Sequence, residues 1–108
     1  MNNILIDFLI SLTMFNFKEI NTSKMGEQLF QNNCSICHLN GNNIIIPEKN
    51  LKEETLIANG MDNKNSLGYL ILNGKNGMPA FGGRLTENEI KAISIYLLND
   101  TQKKLKIN

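Results

Sequence analysis

Hydrophobic and small residues recur along this chain at helical spacing, in short segments that glycine and asparagine separate. Residues 24–33 predict a first helix with Ser23 as its N-cap. Residues 51–59 predict a second helix that Gly60 closes, and residues 66–73 predict a third. No segment alternates with a period of two for long enough to indicate a strand, so the pattern predicts an all-α fold.

The helix boundaries follow from residues that favour helix ends. Asn65 is the predicted N-cap of the third helix, and Gly74 lies just past its end. The last helix has the clearest start, because Thr86 and Glu89 form a capping box in which each side chain bonds a free backbone N–H. Apolar residues then repeat at helical spacing at Ile90, Ile93 and Leu97. This last helix is therefore the best defined of the four.

The N-terminal region is mostly apolar over residues 4–17 and becomes polar from Lys18 onward. As a helix this run would span about 21 Å, short of the roughly 30 Å of a bilayer's hydrocarbon core, so we expect no permanent membrane anchor. Residues 1–22 therefore predict a removable export signal, and residues 23–108 the functional domain. The alternative is an uncleaved anchor or a misassigned start, since Asp7 interrupts the run and no basic residue precedes it.

Length and charge narrow the possible functions. The chain has 108 residues and a formal net charge of +1, with acidic and basic residues interspersed. This balance gives no support to a nucleic-acid or membrane-surface role. A single domain of this size has a marginal core, and a covalently attached group is one way to supplement it.

The candidate chemistry is concentrated in Cys34-Ser35-Ile36-Cys37-His38, which contains the only cysteines and the only histidine of the chain. C-x-x-C-H is the sequence at which two thiols attach a c-type haem, and the histidine binds its iron. A zinc site needs four ligands and a thioredoxin-like dithiol needs a βαβ context, and neither is available. The motif therefore predicts one covalently bound haem c. Such attachment takes place outside the cytoplasm, in agreement with an export signal.

With His38 on one side of the iron, methionine is the best candidate for the second axial ligand. The methionines beyond the apolar run are Met25, Met61 and Met78. Met78 is preferred because it stands in a glycine-dense loop and Pro79 holds it extended. The glycines of that loop, which would let the backbone pass close to a flat ring, are Gly74, Gly77, Gly82 and Gly83. Met61 is the competitor, and a Met78 that only fills a gap is the further alternative.

Several other side chains have more than one possible role. The isoleucines at positions 44–46 are expected to cover the porphyrin, with packing on protein as the alternative. Arg84 is expected either to orient a docking partner or to pair with a haem propionate. Lys75 is expected to be a solvated loop residue rather than a partner contact. Tyr69 and Tyr96 are expected to pack in the core or on the ring.

Residues 24–98 resemble the class I c-type cytochromes, and among them the cytochrome c6 family. The resemblance rests on the C-x-x-C-H motif and above all on residues 73–85, which read Asn-Gly-Lys-Asn-Gly-Met-Pro-Ala-Phe-Gly-Gly-Arg-Leu. It implies thioether bonds at Cys34 and Cys37, with His38 and Met78 as axial ligands. It further implies a small all-α class I cytochrome c fold of about four short helices around the haem. In that fold the first and last helices cross, and the residues expected there are Gly26, Phe30 and Tyr96.

The resemblance also implies a function. Members of the family carry one electron from the cytochrome b6f complex to photosystem I in the thylakoid lumen, and in some organisms to a terminal oxidase. With both axial positions of the iron filled, the expectation is a monomeric carrier with transient partners and no enzymatic activity. One alternative is a haem sensor or peroxidase-like protein whose Met78 dissociates. The other is a respiratory cytochrome c of a bacterial periplasm.

The sequence departs from the family at one position that matters. Where the family usually has Gln beside the haem, this chain has Leu70. Hydrogen bonding and burial around a haem tune its redox potential, so we expect a potential lower than is typical of the family.

Overall fold

Five helices and two 3₁₀ turns make up the regular structure of residues 21–107. The computed structural model describes the backbone of these residues and the side chains of residues 21–100. The helices are α1 (residues 21–33), α2 (Ser35–His38), α3 (Glu53–Ala58), α4 (Lys64–Asn73) and α5 (Glu87–Ile107). The 3₁₀ turns are Leu39–Gly41 and Pro47–Lys49. Within residues 21–107 there is no β-strand, and the predicted all-α class is confirmed.

The two helices on the N-terminal side begin at other residues than predicted. Ser23 lies inside α1 and is not its N-cap. Serine, threonine and asparagine cost only a few tenths of a kcal/mol in a helix interior, so the helix includes them where packing favours it. Helix α3 begins at Glu53, not at Leu51. The side-chain oxygen of Asn50 accepts the N–H of Lys52 at 3.0 Å, which holds the preceding residues outside the helix.

Helix α4 is capped by Asn63, and the prediction of Asn65 was wrong. Asn63 is extended, and its side-chain oxygen accepts the N–H of Ser66 at 2.9 Å. A cap must stand outside the helix and bond an N–H two or three residues later, and Asn65 already lies in the first turn. The predicted end of the helix is confirmed, since Gly74 has a φ of 70° and its N–H donates to the carbonyl of Leu70.

The capping box of α5 is confirmed. The backbone N–H of Thr86 donates to a carboxylate oxygen of Glu89 at 2.8 Å, and the N–H of Glu89 donates to the Thr86 hydroxyl at 3.2 Å. The apolar residues predicted on this helix, Ile90, Ile93 and Leu97, are all buried. Because α5 packs against both α3 and α4, these side chains form one side of the core.

Helix α1 crosses α5 at a glycine. A Cβ atom at Gly26 would overlap the backbone carbonyl of Ala92 and lie 2.9 Å from the Cβ of Tyr96. One turn further on, the rings of Phe30 and Tyr96 lie 5.7 Å apart at an angle of 51°. The crossing that the family resemblance implied is therefore present.

The two tyrosines have different environments. Tyr96 packs on Phe30 as expected, whereas Tyr69 is 71% exposed and the expectation for it was wrong. On α4 the buried residues are Leu67 and Ile71, each two positions from Tyr69. Two helical positions correspond to about 200°, so Tyr69 must lie on the opposite side of the helix.

The predicted export signal lies almost entirely outside the described residues, as do the side chains of the basic C-terminal end. Among the helices that the structure describes, none is long and apolar enough to cross a membrane.

Candidate functional site

All four residues predicted to bind the haem line one cavity in the centre of the fold. The cavity has a volume of about 230 Å³, and Cys34, Cys37, His38 and Met78 are among its lining residues. Met61 lines it too, whereas Met25 does not and is 41% exposed. Most of the remaining lining is apolar and includes Phe30, Leu51, Leu56, Leu67, Leu70, Ile71, Phe81, Ile93 and Leu97.

One side of the cavity, the cysteine wall, consists of Cys34, Cys37 and His38. The N–H of Cys34 donates to the carbonyl of Phe30 at 2.8 Å, so Cys34 stays bonded to the end of α1. Its φ of −118° interrupts the helix at this one residue, and α2 begins at the next. The N–H groups of Cys37 and His38 both donate to the carbonyl of Cys34, at 3.2 and 3.0 Å. Positions i, i+3 and i+4 of a helical turn share one face, which explains why all three side chains line the cavity.

The two thiols of this wall are not equivalent. Cys34 is buried and Cys37 is half-buried. Burial, together with a smaller contribution from the neighbouring Cys37, raises the pKa of the Cys34 thiol to about 11. As a free thiol, Cys34 is therefore neutral at physiological pH and suits an apolar wall.

His38 is held by a backbone group that sequence reasoning did not find. Its Nδ1 lies 2.9 Å from the carbonyl oxygen of Asn42. A carbonyl can only accept a hydrogen bond, so the proton belongs on Nδ1 and the lone pair is left on Nε2. Such a bond fixes the tautomer and orientation that an imidazole needs as a metal ligand. A main-chain acceptor has no side-chain signature, so the motif alone does not reveal it.

A second part of the lining, the methionine wall, consists of residues 75–79. The N–H of Lys75 donates to the carbonyl of Met78 at 3.1 Å, and the N–H of Met78 donates back at 2.9 Å. The two central residues, Asn76 and Gly77, have φ angles of 30° and 86°, as a type I′ turn requires. This tight turn places Met78 on the cavity.

Two of the loop glycines serve close packing between segments of the chain. A Cβ atom at Gly74 would lie 2.6 Å from the carbonyl oxygen of Met78, and one at Gly82 would lie 2.9 Å from a methyl group of Leu72. A Cβ atom at Gly77 would meet only Ile45, at 3.4 Å, and one at Gly83 would meet nothing within 4 Å. The contacts of Gly74 and Gly82 with the protein itself are thus one reason for glycine at these positions, and close approach to a flat ring stays a prediction.

The mouth of the cavity is positively charged. Among the described lining residues, Lys49 and Lys75 are the lysines and no carboxylate is present. The ammonium of Lys49 donates to the side-chain oxygen of Asn59 at 3.0 Å, which ties two loops together. Lys75 is exposed, in agreement with a solvated loop position.

The isoleucine loop covers the cavity in part. Ile45 and Ile46 line it, whereas Ile44 does not and is 68% exposed. The side-chain oxygen of Asn43 accepts the N–H groups of Ile45 and Ile46, at 3.0 and 2.8 Å, and so shapes the loop. Ile36 lines the cavity as well and is 81% exposed. The rim of the cavity is therefore partly apolar.

The remaining predicted residues are placed as follows. Leu70, the departure from the family, lines the cavity and is half-buried. Arg84 does not line it, and its guanidinium lies 5.6 Å from the centre of the Phe81 ring.

The donor set and the lining suit a haem. Two thiols, an imidazole and two thioethers line one mostly apolar cavity, and soft sulfur and imidazole are the ligands that haem iron takes in electron carriers. Within the described residues there is no cluster of histidine, cysteine and carboxylate groups that could hold a metal ion by itself.

Comparison with known proteins agrees with this. A family model described as cytochrome C oxidase, cbb3-type, subunit III, matches residues 21–97. Cytochrome c6 of Petalonia fascia is 50% identical over 78 residues, which cover 72% of this chain and 92% of that protein. Cytochrome c6 of Bumilleriopsis filiformis is 47% identical over 78 residues, covering 72% and 91%. The solved structure of cytochrome c6 from the diatom Phaeodactylum tricornutum is 41% identical and superposes with a TM-score of 0.71, over 75% of this chain and 95% of that chain.

Proposed function

Since the chain belongs to the cytochrome c6 family, we propose that it carries one electron at a time from the cytochrome b6f complex to photosystem I. It is a c-type cytochrome and electron carrier with one covalently bound haem c. The observation that supports the specific proposal is the convergence of the cysteine wall and the methionine wall on one apolar cavity.

Each wall has a separate task in this proposal. Cys34 and Cys37 would hold the haem through thioether bonds, and His38 and Met78 would bind its iron. When bound, the haem supplies a centre that changes its charge by one electron. The hydrogen bond from His38 to the carbonyl of Asn42 keeps the imidazole in the tautomer that can bind. A thioether ligand raises the potential, which suits delivery to a strongly oxidising acceptor.

The iron ligands and the lining of the cavity bear on whether the protein could act as an enzyme. With His38 and Met78 both bound, the iron would have no free position for a substrate, and we propose a carrier without enzymatic activity. Leucine, isoleucine and phenylalanine side chains make up much of the lining, and apolar surroundings of this kind disfavour water beside a bound haem.

The charged and apolar groups at the mouth give the chain a docking edge. Lys49 and Lys75 would supply positive charge beside a bound haem, and Ile36 and Ile45 leave an apolar rim near them. A small contact with little burial suits a partner that must leave after each transfer. We propose that the protein acts as a monomer through this edge, with no lasting complex.

The location follows from the partners. Residues 1–22 act as the export signal in this proposal and residues 23–108 as the mature domain. The thylakoid lumen is the compartment in which both partners are reached, and a periplasm is the alternative for a respiratory carrier.

The experiment is a flash measurement with photosystem I particles. The reduced, haem-loaded protein is mixed with the particles, a flash oxidises the reaction centre, and its re-reduction is followed by absorbance. We expect re-reduction whose rate rises with protein concentration and falls with salt, because charged groups guide docking. A rate no greater than that of a respiratory cytochrome c at the same concentration would contradict the proposal and favour the periplasmic alternative.

Carbon monoxide distinguishes the carrier from a sensor or peroxidase-like protein. We expect the reduced protein not to bind carbon monoxide at neutral pH, because Met78 would occupy the iron coordination position at which carbon monoxide binds. Tight binding to the reduced protein would show that Met78 is displaceable and would favour the alternative.

A further inference from the structure

The chain contains an unusual number of asparagines that directly precede glycine. The pairs are Asn40-Gly41, Asn59-Gly60, Asn73-Gly74 and Asn76-Gly77. In such a pair the backbone nitrogen of glycine can attack the side-chain carbonyl of asparagine with little hindrance, since glycine has no side chain. Asparagine is accordingly among the thermolabile residues of proteins. The four pairs differ in the structure in their hydrogen bonds and in their backbone angles.

Two of the pairs are restrained on both sides. The side-chain amide of Asn59 donates at 2.9 Å to a backbone carbonyl four residues earlier, and the N–H of Gly60 donates to another carbonyl at 3.0 Å. The side-chain amide of Asn73 likewise donates at 2.9 Å, and the N–H of Gly74 donates at 2.7 Å. Both attacking nitrogens are therefore occupied, and both amides are held away from them.

The pair Asn76-Gly77 has none of these restraints. Within the part of the chain that the structure describes, neither the Asn76 amide nor the Gly77 N–H has a hydrogen-bond partner. Both residues are exposed at the centre of the turn. The φ of Asn76 is 30°, well off the centre of the left-handed region near about 57°, so the turn holds it under strain. Asn40 is closer to that centre at 58°, and the carbonyl of Gly41 accepts a hydrogen bond from Leu51 at 2.8 Å.

We propose that Asn76 is a site of spontaneous deamidation that alters the methionine wall. The backbone nitrogen of Gly77 forms a bond to Cγ of Asn76, and the bond from Cγ to Nδ2 breaks. The side-chain nitrogen leaves as ammonia and takes the proton that Gly77 gives up. Water then opens the resulting succinimide at either carbonyl, and the product at position 76 is aspartate or isoaspartate.

The product places a negative charge where the lining has only positive ones. Asn76 lines the cavity between Lys75 and Gly77, two residues from Met78. A carboxylate there favours the oxidised state of a centre in the cavity and therefore lowers its potential. Isoaspartate also adds a backbone carbon to the turn, between the two hydrogen bonds that place Met78. This consequence rests on the proposed ligand role of Met78, whereas the chemical step does not.

Peptide mapping tests the chemical step. The haem-loaded protein is incubated at mildly alkaline pH and digested with trypsin, and the gain of one dalton is followed in each peptide. Cleavage after Lys64, Lys75 and Arg84 puts Asn59, Asn73 and Asn76 on three separate peptides. In the folded protein we expect Asn76 to react at least about tenfold faster than the other two, which need local opening first.

The denatured protein is the control for intrinsic reactivity. Because each of these asparagines precedes glycine, their rates should converge within about threefold once the fold is lost. Reaction at Asn59 or Asn73 as fast as at Asn76 in the folded protein would overturn the proposal. An unreactive Asn76 in the folded protein, alongside reaction after denaturation, would overturn it as well.

A pair of charge variants tests the consequence. Asn76→Asp introduces the product charge directly, and Asn88→Asp introduces the same charge in the first turn of α5, outside the cavity lining. We expect a lower redox potential for Asn76→Asp and a smaller shift for Asn88→Asp. Equal shifts would overturn the link to the haem site. The far-red band of methionine-bound iron, recorded on the same samples, shows separately whether the ligand proposal itself fails.

Discussion

The two walls of the cavity are built in different ways. On the cysteine wall, three side chains share one helical turn and are placed by hydrogen bonds to residues at most four positions away. On the methionine wall, Met78 is placed by a tight turn with two positive φ angles. That turn is joined to α4 by backbone bonds, in which Phe81 and Gly82 donate to Ile71 and Leu72 at 2.9 and 3.0 Å. The sequence therefore reveals the cysteine wall directly, because its contacts are local. The position of Met78 depends in addition on how its loop packs against α4.

Removing the thioether bonds should have the largest effect. In the double variant Cys34→Ala with Cys37→Ala, we expect loss of haem staining on a denaturing gel. A protein left with a cavity of about 230 Å³ is destabilised by about 5.5 kcal/mol at about 24 cal/mol per Å³, which is most of the stability of a small domain. Thermal unfolding should therefore show little or no cooperative transition.

The matched control for that variant is Ile36→Ala, which lies between the cysteines and leaves both thiols in place. It should retain haem after denaturation. Covalent haem in the double variant would show that the cysteine wall has been assigned wrongly.

The next largest effect should come from the methionine wall. In Met78→Ala we expect loss of the far-red band and a large fall in redox potential, because a thioether ligand raises the potential. Redox titration and absorbance spectroscopy measure both effects on the same sample.

Met61→Ala is the matched control, since Met61 lines the same cavity and packs on the same core. It should lower the free energy of unfolding by about 2 kcal/mol and leave the band unchanged. If the band disappears from the Met61 variant and survives in the Met78 variant, Met61 is the iron ligand and Met78 is not.

A smaller effect should follow from Leu70, which lies on the cavity between the two walls. In Leu70→Gln we expect a higher potential, by about 1 kcal/mol or roughly 40 mV for one electron, because the amide restores a hydrogen-bonding group beside the haem. Leu72→Gln makes the same exchange at a side chain that is 45% exposed and outside the lining. If the potential does not rise in Leu70→Gln, or rises equally in Leu70→Gln and Leu72→Gln, then Leu70 does not tune the redox potential.

The smallest effect on the haem site should come from the start of α5, shortly after the methionine wall. In Thr86→Ala we expect a loss of about 1 kcal/mol in the free energy of unfolding, because the N–H of Glu89 loses its acceptor. Chemical denaturation of the haem-loaded protein measures it, and Thr86→Ser should restore most of the stability. The redox potential should be unchanged in both, and a shift would mean that the cap also positions Met78.

The sequence predicted correctly the features that depend on residues within one helical turn. It predicted less well the features that depend on how the helices pack. The capping box at Thr86 was identified because both partners lie within one turn. Ser23 and Asn65 were assigned as caps on the same kind of evidence, but Ser23 lies inside α1, and Asn63, a neighbour of the same chemistry, caps α4 in place of Asn65. Tyr69 was misplaced because an aromatic residue carries no information on which side of its helix is covered.

By itself, the amino-acid sequence determined the chemistry of this protein. The C-x-x-C-H motif and the glycine-rich run around Met78 specify a covalent haem with two candidate ligands, because those residue types and spacings follow from the geometry of the group. Only the tertiary structure decided that the two segments share a cavity with Met61 and Leu70, and that Asn42 supplies a carbonyl to His38. Such contacts join backbone and apolar groups, which carry no distinctive side-chain pattern and meet only when the chain folds.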